Sequence, residues 1–240
     1  MGELFNLNNK FFRAFNKVID SVALSVLWMI CFIPLGINLY FAISMKAVIL
    51  LIPCIITIIP TGAATTAMYY AMNKVIRHER GYVWGEFWHS FRSNFKQTAY
   101  ASMIMGALAV VLAGDTYIMY QLAKSGKGVG ALVIVFIILL VLLTMWGIYI
   151  FPYIARFENT TKQMLKNAGL IALANLPKTL MMFILLAAIL VITYALPVIG
   201  IVMPAVYIYS VNLLLEKIFR KYMSEEDLAA EDERNRDDFN

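Results

Sequence analysis

The 240-residue chain is short of everything that hydrolytic, redox or metal chemistry is built from. It has two histidines and two cysteines. His78 and His89 do not fall at metal-ligand spacing, so no metal is expected on either. Cys31 and Cys54 sit inside apolar runs with no Cys-x-x-Cys pattern, and read as small buried apolar residues. No His/Asp/Glu/Ser constellation is visible. The chain is therefore not read as an enzyme, and neither catalytic residues nor a cofactor are expected.

Charge is scarce too. Charged residues make up 15% of the chain and apolar residues 61%, whereas soluble domains average about 25% charged. That leaves too little polar surface to cover a soluble core of this size. The net charge of +5 does not point to nucleic acid, because the basic residues flank apolar runs and read as topology markers. No small-x-small cleavage site ends the first apolar run, so it reads as a retained helix.

What the sequence does have is apolar runs of about 20 residues, the length that crosses a bilayer as helix. The expected fold is an all-α membrane protein with six transmembrane helices and amphipathic cytoplasmic surface helices. Residues 1–20 form a basic, aromatic-dotted lead-in, expected to lie in the interface plane. A transmembrane domain follows at 21–217, with spans at 21–40, 50–73, 97–122, 129–155, 178–196 and 198–216. Residues 218–240 form an acidic tail with the composition of a disordered segment. Charge orients the spans. Of the 20 Lys and Arg residues, 17 fall on the side of the termini, and only Lys46, Lys124 and Lys127 fall opposite. Both termini are thus expected on the cytoplasmic side of an inner-membrane-type bilayer.

The unusual residues concentrate between positions 60 and 96. Pro60 interrupts the second span. Thr61, Thr65 and Thr66 offer hydroxyls to backbone groups that Pro60 frees. Gly62 and Ala63 make a small-residue face for close helix approach. With Tyr69 and Tyr70, these residues are candidates either for helix packing or for an unwound turn lining a cavity. Next, Trp84, Phe87, Trp88, Phe91 and Phe95 recur at helical spacing. The stripe reads as a surface helix with its rings at headgroup level. Trp84, Phe87, Trp88, Phe91, Arg92, Asn94 and Lys96 are candidate docking residues, as is Arg156 on the same side. Thr160 and Gln163 fit a capping box for a second surface helix through Ala174. A faint internal repeat joins Asn94-Phe95-Lys96-Gln97-Thr98 to Asn175-Leu176-Pro177-Lys178-Thr179.

Three blocks carry a resemblance: Gly62-Ala63-Ala64-Thr65-Thr66-Ala67 with Tyr69-Tyr70; Phe91-x-x-Asn94-Phe95-Lys96-Gln97; and Phe151-Pro152-x-x-Ala155-Arg156-Phe157 with Asn167-Ala168 and Pro177. Over about residues 10–215 the chain resembles the YesL family, domain of unknown function 624. The resemblance implies a bacterial multi-pass membrane protein found in the context of carbohydrate uptake. It carries over no activity and no catalytic residue. Two functions remain open. One is an accessory or regulatory component whose partners are the lipid bilayer and carbohydrate ABC transporter subunits. The alternative is a passive or facilitative transporter or channel for a neutral solute, lined by the hydroxyls of Thr57, Thr61, Thr65 and Thr66. Oligomeric state is not legible.

Overall fold

The computed structural model describes residues 10–45, 48–78, 81–226 and 228–229. Its elements are helices throughout. Helix α1 (Lys10–Ser44) runs unbroken for 35 residues through Pro34. The expected lead-in is therefore continuous with the first span from Lys10 onward, since neither Gly nor Pro interrupts residues 10–33. Residues 1–9 of that lead-in lie outside the described residues.

The second span is segmented. A 3₁₀ turn (Val48–Leu51) leads into α2 (Cys54–Thr57) and then α3 (Ile59–Ala71). Pro60 sits in the first turn of α3, where its missing N–H costs nothing. The join at Ile58 keeps right-handed helical angles. Pro60 thus marks a joint between two helices. The last turns, Met72–Arg77, widen into a π-helix, with the His78 N–H bonding the Asn73 carbonyl at 3.2 Å.

The hub of the bundle is α3. In the most apolar window of the second span (Cys54–Arg77), 56% of residues are buried, against 11% to 17% in the other four long apolar helices. Ala63, Ala64, Ala67 and Ala71 are fully covered. Small side chains let α1, α5 and α6 pack onto this helix. Without a hydrophobic drive between helices in lipid, close van der Waals approach is what holds such a bundle together.

A short helix follows, α4 (Val83–Ser93), and then α5 (Phe95–Lys124). The same order recurs with α6 (Gly130–Arg156), α7 (Thr161–Ala174) and α8 (Leu176–Ala195). Thr160 and Gln163 form the expected capping box at the start of α7. A 3₁₀ turn (Pro197–Ile201) then joins α8 to α9 (Met203–Phe219).

Among the described residues, five helices are long and apolar enough to cross a membrane. The chain is an all-α, multi-pass membrane protein. The last helix, α9, has 17 residues and reaches about 25 Å at 1.5 Å per residue, short of a hydrocarbon core of about 30 Å. Its buried first turn finds a partner inside the bundle, where the Ala205 N–H donates to Ser25 Oγ at 3.0 Å. That removes one of the unpaired amides a helix start leaves in apolar surroundings. Of the acidic tail, residues 227 and 230–240 lie outside the described residues.

Candidate functional site

Two features meet at the end of the bundle where α3, α6 and α9 finish. The first is a buried polar interlock. Glu216, on α9, is 3% exposed. Its Oε1 accepts from the Tyr69 hydroxyl at 3.2 Å and from Asn73 Nδ2 at 3.4 Å. Arg156 Nη2 lies 3.3 Å from Oε2. One turn away, Arg77 Nη1 donates to Asn212 Oδ1 at 3.0 Å and to Asn73 Oδ1 at 3.4 Å. Asn212 is buried, and its amide nitrogen has no hydrogen-bond partner among the described residues. The widened π turn supplies both Asn73 and Arg77, a use to which such turns are often put. A buried carboxylate is tolerable only when paired and hydrogen-bonded, and here three other helical segments do both.

The second feature is the outer face of α4. Phe87 and Ser90 are fully covered by the bundle. Lys74 Nζ in the π turn reaches Glu86 Oε1 at 2.8 Å and fixes the helix from its side. Away from the bundle, Trp84 is 65% exposed. Trp84, Trp88, His89 and Arg92 line an open depression of about 900 Å³. The Trp84 and Trp88 rings lie edge to face at 5.9 Å. The surface is aromatic and basic.

The aromatic stripe thus divides. Phe87 points into the core, Phe91 and Trp88 are half-buried against it, and Trp84 and Phe95 are exposed. The Phe87 and Phe91 rings stack at 6.2 Å along α4, and the Phe91 and Phe95 rings lie tilted at 5.6 Å across the joint to α5. The stripe expected at headgroup level is in its centre a packing seam, because α4 lies directly on α3.

Asn94 is neither in the depression nor free. Its side chain donates to the Ser90 carbonyl at 3.2 Å, and its own carbonyl accepts from both the N–H and the hydroxyl of Thr98 at 2.9 Å. It is the joint between α4 and α5. Asn175 repeats this arrangement between α7 and α8. Its side chain donates to the Ile171 carbonyl at 2.9 Å, and its carbonyl accepts from the Thr179 N–H and hydroxyl at 3.0 Å.

The threonines of the second span are engaged in their own helices. Thr61 Oγ1 donates to the Ile58 carbonyl at 2.6 Å and Thr65 Oγ1 to Thr61 at 2.8 Å. Thr65 Oγ1 also accepts from Trp28 Nε1 at 3.0 Å, and Thr66 Oγ1 reaches the Phe151 carbonyl at 3.2 Å. A Cβ on Gly62 would collide with Ser102 Oγ and stand 2.6 Å from the Phe151 ring. Tyr70 takes a hydrogen bond from Lys74 at 3.5 Å.

Residues 21–116 match the family model described as Protein of unknown function, DUF624. No curated protein and no solved structure matches the chain. The DUF624 match ends within α5, so it covers the hub helix, the π turn and α4. The block at residues 151–157 and Pro177, read above as part of the resemblance, lies beyond it. The interlock is therefore made half by the DUF624 segment, through Tyr69, Asn73 and Arg77, and half by Arg156, Asn212 and Glu216 outside it.

Tyr69 and Arg156 were candidates for different roles, and the fold brings them to one carboxylate. Lys96 and Arg92 stay exposed. Asn73, Arg77, Asn212 and Glu216 escaped the sequence reading. A signal for the last two existed. Ile208, Val211, Asn212, Leu215, Glu216 and Phe219 share one helical face, so two polar residues sit on the stripe that α9 buries.

Proposed function

We propose that the chain is an accessory membrane subunit that presents the outer face of α4 to a cytoplasmic partner. The observation that carries this reading is the two-sidedness of α4. One side is locked into the bundle through Phe87, Ser90 and the Lys74–Glu86 ion pair. The other exposes Trp84, His89 and Arg92 around a depression. Tryptophan and arginine are the residue types that dominate binding hot spots. A rigid helix loses little freedom when a partner covers it, which is where much of the cost of association lies.

The bias of basic residues supports placing both termini, and with them α4, on the cytoplasmic side of a bacterial cell membrane. The YesL resemblance suggests the partner class, a carbohydrate ABC transporter subunit. The passive-transporter reading loses its main support, because Thr61, Thr65 and Thr66 spend their hydroxyls on carbonyls of their own and neighbouring helices.

Co-purification from mild detergent tests the reading. Trp84→Ala and Arg92→Ala remove exposed side chains and are expected to keep the thermal stability of the parent. Loss of one defined partner from both variants is the expected result. Unchanged recovery of every co-purifying protein would overturn it.

A further inference from the structure

The α4 face combines tryptophan rings with His89 and Arg92, and Lys96 follows in the first turn of α5. The chain contains one segment of opposite chemistry. Residues 224–240 hold eight acidic residues and two arginines, and their single aromatic, Phe239, directly follows Asp237 and Asp238.

The root of that segment is fixed at the α4 end of the bundle. The Tyr222 hydroxyl accepts from Asn175 Nδ2 at 3.2 Å, and Arg156 Nη2 approaches Met223 Sδ at 3.6 Å. Arg156 holds Glu216, Glu216 holds Asn73, and the turn carrying Asn73 also carries Lys74, which holds α4 through Glu86. The segment starts as helix, with residues 225–226 and 228–229 helical and the Leu228 N–H bonding the Ser224 carbonyl at 3.0 Å. The further stretch from 230 to 239 can span up to about 30 Å at roughly 3.3 Å per residue. Packed helices lie only about 8–10 Å apart, so α4 is well within range.

We propose that residues 224–240 dock on the α4 face of their own chain. Asp237 and Asp238 meet Arg92, His89 and Lys96, while Phe239 packs against Trp84 and Trp88. The tail then competes with the partner for one surface. This rests on the docking reading of α4 and names its regulation. Single exposed ion pairs are weak, which lets a partner displace the tail. Attachment to the same chain offsets that weakness, because tethering raises effective concentration, up to the millimolar range.

Intramolecular cross-linking of the full chain tests the proposal. In a Cys31→Ala, Cys54→Ala background, Asp238→Cys is combined with Gly85→Cys or with Leu173→Cys. A Cβ at Gly85 meets nothing within 4 Å, so the substitution fits. Leu173 is exposed on α7, close to Asn175 and the root of the tail, and reports random collision. The chains are placed in phosphatidylcholine nanodiscs, treated with a short bismaleimide, and digested for mass spectrometry.

The Gly85→Cys pair is expected to give about threefold or more the yield of the Leu173→Cys pair. Arg92→Gln with Lys96→Gln should remove most of that excess, as two exposed pairs of this kind account for about such a factor. Raising salt from about 50 mM to about 500 mM should do the same, because it shortens the screening length severalfold. Equal yields at the two positions, an excess blind to both charge removal and salt, or links only between two chains would overturn the proposal. So would loss of the excess in discs with about one-third phosphatidylglycerol, which would assign the face to anionic lipid.

Partner recovery from the same chains separates this proposal from the reading it rests on. An excess without any partner keeps tail docking and removes the accessory function. A partner recovered alike with and without residues 224–240, together with equal cross-link yields, removes the tail and keeps the function.

Discussion

The Tyr69 hydroxyl donates to the Glu216 carboxylate at 3.2 Å across 147 positions of sequence. Tyr69 leaves the hub helix toward the last helix of the bundle, and Arg156 arrives at the same carboxylate from α6. Three helices that never adjoin in sequence are thus stapled at one end. That end also carries α4, so the staple sets the surface on which the docking face stands.

A charge cycle tests the staple. Arg156→Met removes a positive charge that faces the buried Glu216 carboxylate and is expected to cost about 3–5 kcal/mol. Replacing both with Met removes the desolvated carboxylate as well, and is expected to recover most of that loss. Tyr69→Phe removes one hydrogen bond to a charged acceptor and should cost about 1.5–3 kcal/mol. Thermal melting in detergent measures all three. Additive losses in the double variant would show that the two side chains do not act on each other.

Gly62 and Gly36 form a matched pair for packing. Gly62→Leu drives a side chain into Ser102 and Phe151 and is expected to destabilise by about 1–3 kcal/mol. Gly36 is exposed, and a Cβ there meets nothing within 4 Å. Gly36→Leu is expected to be neutral in the same melting assay. Equal effects would mean that α3 does not touch α5 and α6 at Gly62.

The two asparagine joints should behave alike. Asn94→Ala and Asn175→Ala each remove a side chain bonded to a carbonyl one turn back. Each is expected to lower stability by about 1 kcal/mol, the usual range for a lost helix-end hydrogen bond. Partner recovery at equal protein level should be unchanged for Asn94→Ala. A lost partner with unaltered melting would return Asn94 to the docking surface.

Orientation is testable with single cysteines. Ser90 is a poor reporter because it is fully covered, whereas Gly85 lies open on the same helix. Gly85→Cys is expected to react with an impermeant maleimide only after the cells are permeabilised. Ser125→Cys, in the exposed turn between α5 and α6, should react from outside. The reverse pattern would invert the membrane orientation.

Much of the fold was legible because lipid demands a simple pattern. Apolar runs near 20 residues and flanking Lys and Arg mark the spans, and the Thr160–Gln163 capping box marks α7. The repeat was legible only at Asn94 and Asn175, since at those joints a side chain must satisfy backbone left by two helix ends. Glu216 was hidden by position. It sits beside Lys217 near a basic helix end, where an acid ordinarily reads as solvated. Its burial depends on Arg156 and Tyr69, which no local pattern connects to it. The division of the aromatic stripe was likewise set from outside, by the packing of α4 onto α3.

The docking claim meets its most direct test in native membranes. A photo-cross-linking amino acid is placed at Arg92, in the depression, and separately at Val191, exposed on the apolar helix α8. One discrete adduct with a single cytoplasmic or membrane partner at position 92, absent at position 191, is the expected result. Lipid adducts alone at position 92, matching those at 191, would contradict it.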